Sequence, residues 1–111
     1  MNLSILPLIF FGFSFFGISQ ENLSELTPEK PLENILVKRI GGDSLSTQFV
    51  IWVKDTVRTH RHEDHSESLL VMEGTGTFYM GNQVFEIKPG DFISIPRKTW
   101  HAVKVTSTEP L

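Results

Sequence analysis

Residues 59–74 read THRHEDHSESLLVMEG, a segment in which His60 and His62 are separated by a single residue and followed by Glu67. A third histidine, His101, comes later in the chain, after a Pro-Gly-Asp sequence and an Ile-Pro step. Neutral imidazole nitrogens favour a divalent first-row transition ion over calcium or magnesium, and one carboxylate offsets part of the charge of that ion. These side chains therefore predict a site for a divalent transition metal, with Fe, Mn, Zn, Ni and Cu all compatible.

The spacing of the four candidate ligands is the one that β-strands would produce. Alternate side chains of a strand share a face, so we expect His60 and His62 to point the same way, with Arg61 turned outward. Glu67 is expected to open the next strand, and His101 to open a later one. The four ligands would then line one concave face.

A fourth histidine, His65, is an alternative ligand. It could replace His62 if the strand register shifted, but its odd offset and its polar neighbours Glu63, Asp64 and Ser66 favour an exposed turn. For any single histidine, a surface or core position without a metal is the more common case. The joint spacing of the histidines and Glu67 argues against that interpretation here.

Composition limits the class of protein. The chain has 111 residues, 40% of them hydrophobic, which is enough for one domain with a single core. A formal net charge of -3 and ten scattered Lys and Arg residues provide no basic stripe, so nucleic acid is not a predicted partner. There are no cysteines, so thiolate metal sites and disulfides are excluded and any metal must be held by nitrogen and oxygen.

The first nineteen residues resemble a secretory signal peptide. Residues 5–18 read ILPLIFFGFSFFGI, and the small residues Gly17 and Ser19 stand immediately before Gln20, at the spacing that signal peptidase recognises. The apolar run is shorter than the roughly 20 residues that span a bilayer, which favours cleavage over a retained transmembrane helix. Residues 1–19 are therefore predicted to be removed, leaving a secreted or periplasmic protein without a stable membrane span.

The rest of the chain divides into a polar segment and an all-β domain. Residues 20–34 are polar and are interrupted by Pro28 and Pro31, which is typical of a leader or linker. From residue 35 to residue 111, short apolar runs of period-two character alternate with turn residues, among them the hairpin signal Gly81-Asn82. The predicted strands are residues 35–40, 47–54, 57–62, 67–73, 77–80, 83–87, 91–95 and 101–106.

Two motifs of the chain resemble those of the cupin superfamily, in particular its small single-domain, type-2 conserved-barrel members. Residues 59–74 are similar to the first motif, and residues 81–103, GNQVFEIKPGDFISIPRKTWHAV, are similar to the second. The resemblance covers residues 35–111 and implies a small jelly-roll β-barrel, also called a double-stranded β-helix. The metal ligands that it implies are His60, His62, Glu67 and His101.

The end of the chain differs from the pattern of this family, whose members usually continue with another strand. Residues 107–111 are polar and contain a proline, as a connection between strands would. Two explanations stay open: the final strand of the barrel is missing, or the edge is covered by residues 34–40 of a neighbouring subunit. Because an uncovered apolar edge invites pairing with another chain, a homodimer is expected.

Four protein ligands would leave two positions of an octahedral ion open for a substrate and for O₂ or water. Fe or Mn would then permit oxygenation, whereas Zn or Ni would polarise a carbonyl or hydroxyl group. The favoured hypothesis is a metal-dependent enzyme, a dioxygenase-like oxidoreductase or an isomerase, acting on a small oxygen-rich organic molecule. The alternative is a non-catalytic module of the cell envelope that binds a metal or a small ligand. The sequence identifies no separate general base.

Export predicts a mature protein that begins at Gln20, because signal peptidase cleaves after small residues at the spacing of Gly17 and Ser19. Mass spectrometry of the N-terminus of protein isolated from native cells measures this. Recovery of intact Met1 on a cytoplasmic protein would contradict the prediction.

Overall fold

Eight strands and one short 3-10 turn make up the part of the chain that the computed structural model describes, residues 20–111. The predicted signal peptide, residues 1–19, lies outside this range. Within it the all-β prediction is confirmed, and no helix is long and apolar enough to cross a membrane. The strands are β1 Ile35–Gly42, β2 Thr47–Val53, β3 Thr56–His60, β4 Glu67–Leu70, β5 Gly76–Met80, β6 Gln83–Ile87, β7 Phe92–Ile95 and β8 His101–Val105.

The predicted strands are found, with two differences in length that concern the site. β3 ends at His60 and not at residue 62, because its partner β8 begins at His101, opposite His60, and has no earlier residue to pair with. β4 ends at Leu70 and not at residue 73, because the chain opposite Val71 is no longer β7 but the turn at residues 88–91, with which Val71 exchanges backbone hydrogen bonds. Strand length is therefore set by the partner strand as well as by the local pattern.

All strand pairs are antiparallel, and their ladders form three separate sheets within residues 20–111. The largest sheet has the order β3-β8-β5-β6, and the other two are the pairs β4-β7 and β1-β2. Side chains of β7 meet side chains of the four-stranded sheet in one core, which includes Ile95 at 1% exposure and Phe78 at 2%. Each fully buried apolar side chain of this kind stabilises the fold by about 1.5–3 kcal/mol. The core consists of Val71, Phe78, Ile87, Ile93, Ile95 and Val103.

A tight turn at residues 88–91 returns the chain from β6 to β7. Gly90 has a φ of 93°, which suits a turn with Pro89 before it, and the backbone N–H of Asp91 donates to the carbonyl of Lys88 at 3.1 Å. The Asp91 carboxylate accepts the Lys88 backbone N–H at 2.9 Å, and this bond lowers the pKa of Asp91. Gly90 also donates to the carbonyl of Val71 at 2.8 Å, so the turn holds β7 beside the chain that follows β4.

The C-terminal segment folds back onto the chain's own β2. Leu111 and Val53 exchange two backbone hydrogen bonds, each of 2.9 Å, and the Leu111 side chain packs against the core. A Cβ atom at Gly74 would lie 2.6 Å from the carbonyl oxygen of Pro110. The last residues therefore pair with the end of the chain's own β2.

The polar segment before β1 is anchored at its end by Asn34. The Asn34 side chain accepts the backbone N–H groups of Asp55 and Thr56 at 3.0 and 3.1 Å, and it donates to the carbonyl of Thr56 at 2.9 Å. These bonds tie the start of β1 to the corner between β2 and β3. The domain boundary at residue 35 stays a prediction.

One face of the β1-β2 hairpin exposes large apolar side chains. Exposure there ranges from 39% at Ile51 to 53% at Val37. A two-stranded ribbon is marginal in water without further packing, so this face is consistent with the expected homodimer. Homodimerisation stays a prediction, which sedimentation of the purified chain would test. The exposed residues are Ile35, Val37, Phe49 and Ile51.

Gly74→Ala should destabilise the fold more than Gly81→Ala. Both glycines have positive φ, 76° and 59°, so alanine costs about 1–2 kcal/mol of left-handed strain at either position. Only at Gly74 does the new methyl group also collide with Pro110, whereas nothing lies within 4 Å at Gly81. That collision should add about 1–3 kcal/mol, measured by urea unfolding of the two variants. Equal losses would mean that the C-terminal segment does not pack on Gly74.

Candidate metal centre

The four residues predicted to be metal ligands come together at one end of the interior. One ligand atom from each of the four lies within 4.8 Å of the corresponding atom of every other. Three strands and one loop supply them. His60 is the last residue of β3, and His62 lies in the loop that follows. Glu67 is the first residue of β4, and His101 is the first residue of β8. We call this group the His-Glu cluster; it consists of His60, His62, Glu67 and His101.

Strand pairing explains why three of these side chains face the interior. Residues that are directly opposite in an antiparallel pair share a face. Glu67 is opposite Ile95, which is 1% exposed, and His60 is opposite His101, which is 4% exposed. The pairing therefore brings Glu67 from the β4-β7 sheet towards His60 and His101 in the four-stranded sheet.

The expectation that His60 and His62 project from one strand is wrong in detail. His62 lies in the loop after β3, where its carbonyl accepts the backbone N–H of Lys98 at 2.7 Å. Lys98 has a φ of 66°, which is uncommon for a residue other than glycine. The His60 and His62 rings are nevertheless 5.1 Å apart, and both residues belong to the cluster.

Backbone carbonyls fix the tautomer of two of the three rings. Nδ1 of His60 lies 2.8 Å from the carbonyl oxygen of Arg58, and Nδ1 of His101 lies 2.8 Å from that of Thr99. Since a carbonyl can only accept, the proton of each neutral ring must be on Nδ1. Nε2 then carries a free lone pair, which is the arrangement that metal-binding histidines adopt.

The contact between Glu67 and His101 tests whether the cluster fits a metal ion. Oε2 of Glu67 lies 3.2 Å from Nε2 of His101 and 3.2 Å from Nε2 of His62. Glu67 Oε2 and His101 Nε2 are both buried and make no hydrogen bond. With the proton of His101 on Nδ1, two acceptors face each other, and a buried unsatisfied polar group costs about 1–3 kcal/mol.

A cation between these atoms would remove the unfavourable contact. A second proton on His101 could also remove it, but only by a single hydrogen bond between His101 Nε2 and Glu67 Oε2. A metal ion would in addition bind the nitrogens of His60 and His62, which converge on the same point. The residues present therefore fit a divalent transition metal held by three nitrogens and one oxygen.

The surroundings of the cluster differ on its two sides. Towards the core, the Phe78 ring lies nearly parallel to His101 with its centre 6.3 Å away. On the other side, the His62 and Glu67 side chains are 31% and 26% exposed. The cluster is thus buried on the side of His101 and Phe78 and partly exposed at His62 and Glu67, so a small molecule could approach it from the exposed side.

Two nearby features were not predicted from the sequence. The ring of His65, outside the cluster, stacks on His62 with the ring centres 4.4 Å apart and the planes 26° apart. The guanidinium of Arg61 lies 4.9 Å from the centre of the exposed Trp100 ring. The only sequence signal for either contact was that its residues lie close along the chain to a candidate ligand, His62 or His101.

The cluster and a cavity elsewhere in the protein are separate. A cavity of about 350 Å³ contains none of the four clustered residues. Its lining mixes charged and apolar side chains without converging metal ligands. The candidate site is therefore distinguished by its chemistry and not by the size of a cavity. The cavity is lined by Glu29, Lys30, Leu36, Val37, Lys38 and Trp52.

Comparison with known proteins identifies relatives of this chain. A family model described as "Cupin domain" matches residues 48–111, which include the whole His-Glu cluster. The chain is 27% identical to an uncharacterised protein of Aquifex aeolicus over 89 residues, 78% of this chain and 74% of that protein. It is 34% identical to the quercetin 2,3-dioxygenase of Bacillus subtilis over 53 residues, 48% of this chain but only 16% of the dioxygenase.

Two solved structures share the fold. KdgF from Halomonas aligns with a TM-score of 0.67 and 18% identity, covering 73% of this chain and 76% of that one. A cupin-2 domain containing protein from Shewanella frigidimarina aligns with a TM-score of 0.59 and 22% identity, covering 65% and 71%. Likeness at these identities concerns the fold alone. It confirms the predicted jelly roll, although the strand ladders within residues 20–111 do not close into one barrel.

Replacing any histidine of the cluster by alanine should weaken metal binding at least about tenfold, because each removes one nitrogen from a shared site. The measurement is the Co(II) content of His60→Ala, His62→Ala and His101→Ala after dialysis against a buffered metal concentration. Bound metal should also be released as the pH falls, since protonated imidazole cannot coordinate.

Glu63→Gln is the matched control for this series, because Glu63 is in the same loop but bonds to Arg61. It should keep the metal content of the parent protein. A loss in Glu63→Gln equal to that of the histidine variants would show that the cluster is not the binding site.

Proposed function

This chain belongs to the cupin family, and from that premise we propose that it is a metal-dependent enzyme, an oxygenase acting on a small oxygen-rich organic molecule. The observation that carries the proposal is the convergence of three histidines and one glutamate, within which buried Glu67 Oε2 and His101 Nε2 face each other unpaired. A divalent cation at this point would satisfy both atoms. The oxygenase assignment has further support from the partial similarity to the Bacillus dioxygenase.

The residues that would hold the ion are His60, His62, Glu67 and His101. A bound Fe or Mn ion would supply the capacity to activate O₂, whereas Zn or Ni would polarise a carbonyl or hydroxyl group of the substrate. The chain spans about a sixth of the length of the dioxygenase, so the activity of that whole protein is not transferred by similarity alone.

The chain's own side chains prepare the site before any ligand arrives. The bonds from His60 to the Arg58 carbonyl and from His101 to the Thr99 carbonyl hold two rings in the tautomer that coordinates. Such preorganisation avoids the cost of ordering these rings during binding. His101 and Phe78 are both almost completely buried, and such burial strengthens electrostatic interactions at the base of the site.

Glu67 has a role that the histidines cannot perform. It brings the only negative charge of the His-Glu cluster, so it lowers the net charge of a site occupied by a divalent ion. A carboxylate ligand also changes the redox potential of a metal and the acidity of water bound to it. Replacing Glu67 should therefore lower the activity of the site more than its metal occupancy.

A non-catalytic module that binds a metal or a small ligand is the second candidate. The observation that favours it is that every titratable side chain of the cluster is itself a candidate ligand. No separate acid or base is then available within the cluster to move a substrate proton. The two candidates differ in what Glu67→Gln should do.

Fe(II)-loaded protein should consume oxygen with at least one compound of a panel of diketones, flavonoids, small acids and sugars. Glu67→Gln keeps an oxygen donor but loses the charge, so oxygen uptake should fall at least about tenfold while much of the metal is retained. Metal content and oxygen uptake are measured on the same preparation, with Glu63→Gln as the control that preserves both.

A binding module gives a different pattern. Its ligand affinity in Glu67→Gln would fall only in proportion to metal occupancy. If no compound of the panel gives metal-dependent turnover, the enzyme proposal is overturned in favour of this second candidate.

A further inference from the structure

The three histidines of the cluster are not held in the same way. The rings of His60 and His101 each have Nδ1 bonded to a backbone carbonyl two residues earlier. No corresponding bond of the His62 ring is found within residues 20–111; its Nε2 lies 3.2 Å from Glu67, and its face lies against His65. His62 is thus the one ligand whose ring lacks a backbone restraint.

The backbone of His62 is better restrained than its ring. β3 ends at His60, so no strand ladder fixes His62, but its carbonyl accepts the N–H of Lys98 at 2.7 Å. That bond holds the main chain and leaves the two side-chain torsions free. With 31% of the side chain exposed, water can also compete for the ring nitrogens. A second restraint is needed to keep Nε2 directed at Glu67.

We infer that His65 is the positioning residue that supplies this restraint, by stacking on His62 without itself binding the metal. The ring centres are 4.4 Å apart and the planes 26° from parallel, which is a stacked geometry. His65 is exposed and does not belong to the group whose ligand atoms lie within 4.8 Å of one another. The inference rests on the proposed metal site and adds the means by which one of its ligands is oriented.

Stacking requires a flat ring and not an imidazole nitrogen, which separates this role from that of a ligand. His65→Phe keeps the ring and removes both nitrogens, whereas His65→Ala removes the ring. A positioning role predicts that alanine weakens metal binding and that phenylalanine restores it. A ligand role predicts that both variants weaken binding equally.

The main experiment is a titration with Co(II), followed by its visible absorption spectrum, on the full chain. His65→Ala should bind about two- to tenfold more weakly than the parent, which is the effect of losing one aromatic pair. His65→Phe should bind within about twofold of the parent and give the same spectrum. Urea unfolding of the metal-free variants should match the parent, because an exposed side chain of this kind adds little to stability.

A double-variant cycle provides the internal control. In a His62→Ala background, His65→Ala should not weaken Co(II) binding further, since the ring that it positions is gone. An additive loss in that background, or equal weakening by His65→Phe and His65→Ala, would overturn the positioning role. Unchanged affinity in His65→Ala would overturn it as well.

A measurement on the metal-free protein separates failure of this inference from failure of the proposed metal site. Nuclear Overhauser contacts between the ring protons of His62 and His65 should be present in the parent and in the absence of any ion. If the parent does not bind Co(II), the metal proposal fails, and these contacts still decide whether His65 orients His62. Absence of the contacts would overturn the inference whatever the result with Co(II).

Discussion

The pairing of β3 with β8 is the constraint on which the site and the core both depend. It sets His60 opposite His101 on the interior face. Two residues further along β8, Val103 also faces the interior, and its register partner on β5 is Phe78. A shift of β8 by one residue would turn His101 to the solvent and bring Ala102 inside. The burial of Val103 and Phe78 therefore fixes the histidine pair as firmly as it fixes the core.

Glu67 reaches this pair from the opposite sheet, and its placement depends on the turn at residues 88–91. That turn returns β7 alongside β4, where Ile95 pairs with Glu67 and is itself almost completely buried. Core packing thus places a carboxylate oxygen against His101 Nε2 although neither atom gains a hydrogen bond there. An ion that binds only the folded state would relieve this contact and stabilise the fold, so metal binding at this point would be coupled to folding.

The fold is shared with proteins that bear different names, and it does not by itself specify a reaction. The surroundings of the His-Glu cluster depend on two loops, residues 61–66 and 96–100. The first supplies His62 and the stacked His65, and the second supplies the Lys98 N–H that holds the main chain of His62. The β1-β2 hairpin adds an exposed apolar face, for which the expected second copy of the chain stays a prediction.

Much of the architecture could be predicted from local sequence. Period-two hydrophobicity predicted all eight strands, and the turn residues Gly81-Asn82 predicted a hairpin that is found, since Met80 and Gln83 are register partners. The identity of the four clustered side chains was predicted as well, because imidazole and carboxylate groups at this spacing have few other joint explanations. These features depend on neighbouring residues and on chemical type, both of which are visible in the sequence.

Only the tertiary structure decided how the histidines are held. The end of β3 at His60 depends on where β8 begins, which the residues around His60 do not encode. The odd offset and polar neighbours of His65 predicted an exposed turn, and His65 is exposed and lies outside the strands, but only the structure shows that its ring stacks on His62. The carbonyls that fix the rings of His60 and His101 are backbone groups, and every residue has one. The identity of the candidate ligands is therefore visible in the sequence, whereas the backbone conformation that orients their rings depends on the pairing of β3 with the distant β8 and on the contact between His62 and Lys98.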